Sequence, residues 1–197
     1  MALVTLPTAP GFAKATWKLR QPTQVNRSEF TSRRRVTVLP AAPRWLVEVE
    51  VAPILGEAAV RPWRAFLAAL RGQAGQFRLV AVEKQQIAGV APLVDGGGQS
   101  GFQLVTRGWG AAGAKLPVGC MVTVNDQLLQ LTAPVVADGA GKAVLSFLPY
   151  LRQRPADGAA IEAARPYALL SLADDVTAVT ADTGQRYTVS FSAEESF

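Results

Sequence analysis

Only one stretch of this chain has helical periodicity, so almost everything else must be built from strands and turns. Glu57–Gly72 reads EAAVRPWRAFLAALRG. Val60, Trp63, Leu67 and Leu70 recur at three- and four-residue steps, with Phe66 beside them, which lines one face of a helix. Arg61, Arg64 and Arg71 fall elsewhere and keep solvent contact. Pro62 fits only a first turn, where its missing N–H leaves no bond unmade. Gly72 supplies a stop. The spacing predicts an amphipathic helix over about 57–71 whose apolar face plugs the open end of a β-structure. A membrane- or partner-binding helix is the alternative.

The remaining pattern is β. In Trp45–Val51, Trp45, Val47, Val49 and Val51 alternate with Leu46, Glu48 and Glu50, giving one apolar and one mostly acidic face. Further strand-like runs are Trp17–Leu19, Val36–Leu39, Phe77–Val82, Phe102–Thr106, Met121–Val124, Leu128–Leu131, Lys142–Leu148, Ala159–Ala163, Ala168–Leu172 and Tyr187–Phe191. Asn125-Asp126 and Asp182-Thr183-Gly184 are tight-turn signals. Gln21–Thr31 is polar and turn-rich. The class expected is mainly β: an antiparallel sandwich or barrel with one inserted helix. Met1–Gly11 is short, apolar and proline-containing, and reads as an arm, an element that can be loose in the free subunit and ordered against a neighbour. Residues 12–197 read as a single β-rich domain, with a division into two sub-lobes near the Gly96–Gly98 linker as a further option.

Composition narrows the chemistry. The 197 residues contain no histidine and one cysteine. Histidine is the commonest general base and a leading metal ligand, so much enzymology is removed at once. Cys120 cannot form an internal disulfide, and in its strand-like run it reads as a small buried hydrophobe. Asp174-Asp175 point to opposite faces of a strand; in a turn they could bind a cation, but further spaced ligands are lacking. Glu194-Glu195 read as a mobile acidic tail or a packing contact, and Glu48 and Glu50 as a solvent-facing pair. No catalytic, cofactor-binding or metal site is assigned. The N-terminus lacks the charged-then-apolar order of a signal peptide, and no apolar run approaches a membrane span.

Charge is distributed unevenly. Residues 1–74 hold eleven basic and four acidic residues, +7, and residues 75–197 hold nine and eleven, −2. Such opposed halves favour head-to-tail assembly or polyanion binding. Arg33–Arg35 reads as a solvated strand end, with a phosphate or acidic-partner contact as the alternative. With Trp17, Arg20 and Arg27 it gives a nucleic-acid-binding β-barrel module as the second reading, although most aromatics fall at core-type positions. A carboxylate-dependent hydrolase is the third, and it lacks a carboxylate pair that can be named.

Taken together, several segments resemble a known family. They are PWRAFLAALRG at Pro62–Gly72 and a strand with Phe77 and Leu79, then LPVGCMVTVNDQLLQLT at Leu116–Thr132 and ADGAGKAVLSFLPYLR at Ala137–Arg152. PYALLSLADD at Pro166–Asp175 and YTVSFSAEESF at Tyr187–Phe197 follow. In that order they are similar to the distal tail (tail-tip or baseplate hub) proteins of long non-contractile tailed bacteriophages and prophages. The resemblance covers most of residues 45–197. It implies a virion structural protein of the tail, assembled in the bacterial host cytoplasm, that forms a homo-hexameric ring joining the tail tube protein to tail-tip or hub proteins. It implies no enzyme activity and no cofactor. Family members often carry a second, carbohydrate-binding-like domain, for which 197 residues leave little room. The Met121–Leu131 hairpin and the Val36–Val51 region are the expected subunit-facing elements.

Overall fold

A computed structural model describes residues 2–39 and 43–196; Met1, residues 40–42 of the Val36–Val51 region, and Phe197 lie outside the described residues. The chain is mainly β, with antiparallel sheets and one α-helix. It opens with β1 (Phe12–Arg20), β2 (Thr23–Arg27), β3 (Arg34–Val38), β4 (Arg44–Val51) and β5 (Ile54–Leu55). Helix α1 (Glu57–Leu70) and β6 (Phe77–Val80) follow. Next come β7 (Leu93–Val94), β8 (Gln103–Arg107), β9 (Gly113–Leu116), β10 (Met121–Val124), β11 (Gln127–Leu131), β12 (Val135–Ala137), β13 (Ala143–Leu148) and β14 (Ile161–Glu162). The last three strands are β15 (Tyr167–Leu172), β16 (Ala178–Asp182) and β17 (Arg186–Glu195).

These elements form two lobes with separate cores. In the first, strands run in the order β1-β4-β17-β15-β6, with β16 and β5 also paired to β17. The alternation read from Trp45 to Val51 puts Trp45, Val47, Val49 and Val51 inside and leaves Leu46 half-buried on the other face. Helix α1 buries Val60, Trp63, Phe66, Leu67 and Leu70 against this sheet. Phe66 meets Phe77 edge-on at 5.3 Å, and Trp63 meets Phe12 at 6.1 Å. The helix therefore covers a sheet face; the core of the second lobe contains none of its residues. Its stop is Arg71, left-handed at φ 50° and donating its N–H to Ala68, rather than Gly72. Gly75 follows because a Cβ there would lie 2.7 Å from Leu70 Cα.

The second lobe is a six-stranded sheet, β14-β10-β11-β13-β8-β7. Its ends nearly meet: Leu93 bridges Ala160, Val94 N–H donates to Ala159, and Ile161 N–H donates to Pro92. The sheet curls into a small barrel filled by Leu104, Trp109, Val122, Leu129, Leu145 and Phe147, among others. The pair β9–β12 packs Leu116, Val135 and Ala137 onto the same core.

The division between lobes does not fall at Gly96–Gly98, which lie in the turn between β7 and β8 inside the barrel lobe. The barrel is instead one continuous insertion between β6 and β15, which pair with each other, Val80 opposite Tyr167. A second lobe thus does fit within 197 residues. The N-terminal arm is also docked within its own subunit. Val4 N–H donates to Gln76 O at 2.7 Å, Ala9 O accepts from Trp63 Nε1, and Val4 and Leu6 pack on the first core. No helix among the described residues is long and apolar enough to cross a membrane.

Candidate functional site

The carboxylates of the barrel rim are engaged by cations. Asp95 and Asp157 both accept from Arg107 Nη1, at 2.9 and 2.8 Å, and Lys142 Nζ reaches Asp95 at 2.7 Å. Hydrogen bonds from Lys142 and Arg107 hold the Asp95 carboxyl below its ordinary range, and the bond from Arg107 does the same for Asp157. A general acid needs the opposite shift, so this pair is suited to closing the barrel rim rather than to proton donation. Among the described residues no group of three or more Cys, Asp or Glu side chains could hold a metal ion. Asp174 and Asp175 are exposed in the loop before β16. Glu48 is paired to Lys18, and Lys14 lies opposite Glu50 across β1 and β4. Cys120 packs half-buried against the barrel core, and burial pushes its thiol pKa up.

Glu195 is no tail residue. It lies at the end of β17, 1% exposed, between the lobes. Its carboxylate accepts the N–H of Trp45 at 3.2 Å and of Leu128 at 3.1 Å, and it pairs with Arg152. Trp45 Nε1 then donates to Leu128 O at 3.0 Å. A second clasp lies at the β10–β11 turn, where Asn125 and Asp126 take φ of 49° and 60°, as a two-residue hairpin turn of this type requires. Asp126 accepts from Arg78 and from Tyr167 Oη, both at 2.9 Å.

This anchoring removes one expected subunit-facing element. The Met121–Leu131 hairpin is inside: Val122, Thr123, Val124, Leu128 and Leu129 are all buried, and both edges are occupied, by β14 and β13. The strand Arg44–Val51 is equally enclosed, between β1 and β17. What stands free is β2–β3, the continuation of the β1–β4 ribbon beyond Arg20 and Arg44.

Every residue from Thr23 to Val38 is exposed. The polar stretch read as turn-rich thus contains a strand, β2, paired in register with β3 from Thr23↔Val38 to Arg27↔Arg34. The tip is tied by Ser28 N–H to Arg33 O at 3.0 Å and Thr31 N–H to Ser28 Oγ at 3.2 Å. Strand alternation separates the two faces. One carries Val25, Val36 and Val38 with Arg27 and Arg34; the other carries Gln24, Asn26, Arg35 and Thr37. Val38 is 74% and Phe30, at the tip, 98% exposed. At the ribbon's root, Val38, Leu39, Phe102, Leu148 and Tyr150 line an apolar notch of about 190 Å³ against the barrel. An apolar strip flanked by arginines on an unpaired two-stranded ribbon is the candidate binding element, because a free ribbon edge and exposed valines both invite a partner. The signal available in the sequence was the spacing of Val25 and Val36 about the tip.

A scan against protein-family models finds no match to this chain, and no curated protein matches it significantly.

Proposed function

We propose that this chain is a structural protein of a long, non-contractile phage tail. It works by assembly: a ring-forming distal tail component, hexameric by the resemblance, that joins the tail tube to the tail tip. It is carried in the virion and assembled in the host cytoplasm. The observation that carries the reading is the β2–β3 ribbon, an ordered hairpin with both edges free and an uncovered valine strip. A small domain gains nothing for its own stability from such an element, which instead suits contact with another chain. The ordered resemblance across residues 45–197 supports the same reading and names the kind of assembly. Native mass and negative-stain imaging of the purified protein, at low and high salt, test it. Rings of defined stoichiometry are expected.

The nucleic-acid reading is kept alive by one feature of the same ribbon, the cluster Arg27, Arg33, Arg34 and Arg35 around exposed Phe30. A basic ribbon with an aromatic tip is suited to polyanion contact. The valine strip favours protein instead, since phosphates do not cover apolar surface. A chain that stays monomeric and binds single-stranded DNA with steep salt dependence would reverse this order.

A further inference from the structure

The subunit is electrically polar along its strands. Segment 20–39 holds five arginines and one glutamate, +4, and segment 173–186 holds three aspartates and Arg186, which lies opposite Asp182, −2. Strand register places the ribbon at one end of the first lobe and the β16–β17 turn with Asp182 at the other, with Asp174 and Asp175 beside the middle of β17, where Ala173 N–H donates to Ser192 O. The β2–β3 ribbon leaves β4 at Arg44, beside Glu194 of β17. Strand β17 then runs past Val51 to pair with β5, Arg186 opposite Leu55, where the turn into β16 lies. Among the described residues, none of Arg27, Arg33, Arg34, Arg35, Asp174, Asp175 or Asp182 is ion-paired within the subunit. The acidic end also resembles a docking site in shape. β16 pairs with β17 on one edge only, and exposed Val176 (84%) adjoins Asp174 and Asp175 in the loop that leads into it.

From this complementarity we infer that the β2–β3 ribbon of one subunit docks on the free β16 edge and Asp174–Val176 loop of a second copy. The valine strip covers Val176, and the arginines meet Asp174, Asp175 and Asp182. The contact joins two different surfaces, so it propagates head to tail and closes as a ring when the rotation per subunit permits. The acidic face of β4 is the poorer occupant, because Glu48 is already paired and Lys14 lies opposite Glu50. This inference rests on the assembly reading above and names its contact.

Charge exchange tests it. Sedimentation velocity at low salt compares the parent, R33E/R34E/R35E, D174K/D175K/D182K and an equimolar mixture of the two variants. The parent is expected to assemble and each variant alone to sediment as a monomer with the parental melting temperature. The mixture is expected to assemble again, since every ribbon then finds a tip of opposite charge. A Val36→Asp variant, with its arginines intact, is expected to lose assembly as well. Variants that assemble like the parent, or a mixture that stays monomeric, overturn the docking and leave the ring reading standing. A parent that is monomeric at its highest soluble concentration overturns both.

Discussion

β10–β11 and β2–β3 are antiparallel hairpins of similar length, yet one is almost wholly interior and the other wholly exposed. The difference lies in their faces. In β10–β11, Val122, Thr123 and Val124 succeed one another without alternation, as do Leu128 and Leu129, so both faces are apolar enough to be buried. In β2–β3 the valines occupy one face only. A run without alternation marks a strand covered on two sides. That rule, applied to Met121–Leu131, argues against a subunit-facing role and for the seam between lobes: Leu128 belongs to the first core and Leu129 to the barrel core.

The sharpest way to break this contrast is to release β11 from its anchor. Glu195→Ala leaves Arg152, whose side chain is 10% exposed, without its buried carboxylate, and strips the acceptor from Trp45 and Leu128. A loss of about 3–5 kcal/mol is expected in urea unfolding. Leu129→Ala, which cuts the barrel core but spares the anchor, is expected to cost about 2–5 kcal/mol by the same measurement. A smaller effect is expected at the turn. Burial first, and then the hydrogen bond to Asp126, push the Tyr167 phenol up to about 12. A phenol raised in this way stabilises the fold fully below pH 10 and loses that contribution as pH rises from about 10 through about 12. Ultraviolet titration should show one late-ionising tyrosine, brought down by Asp126→Ala. The smallest effect is expected in the other hairpin. Phe30→Ser should change unfolding stability by no more than about 0.5 kcal/mol, because its side chain is 98% exposed. A large loss there would place the ribbon in the fold rather than at a contact.

Much of the architecture was legible. The helix face, the alternation of Trp45–Val51 and the Asn125-Asp126 turn follow directly from side-chain period and turn chemistry. The ribbon was not, because a strand solvated on both faces, such as Thr-Gln-Val-Asn-Arg, has no buried side to enforce alternation. Glu195 is more instructive. Tyr187, Val189, Phe191 and Ala193 point inward at every second residue, and Glu195 is next in that series. Its charge argued for solvent, while its parity argued for the interior. Parity prevailed because Arg152 and two backbone N–H groups are there to receive the carboxylate. The division into lobes was hidden for a different reason: an insertion between two paired strands needs no linker, so glycines were a poor guide to it.

That insertion has a consequence for the order of events during synthesis. The barrel lobe is drawn from one uninterrupted stretch, so all its strands are available before β17 is made. The first lobe is completed only by β17, which pairs with β4 across some 140 residues of intervening chain. Contacts so distant in sequence form late. A chain stalled before β17 should thus hold a folded barrel beside an unfinished sheet. Arrival of β17 then both completes that sheet and, through Glu195, latches it to a neighbour already in place.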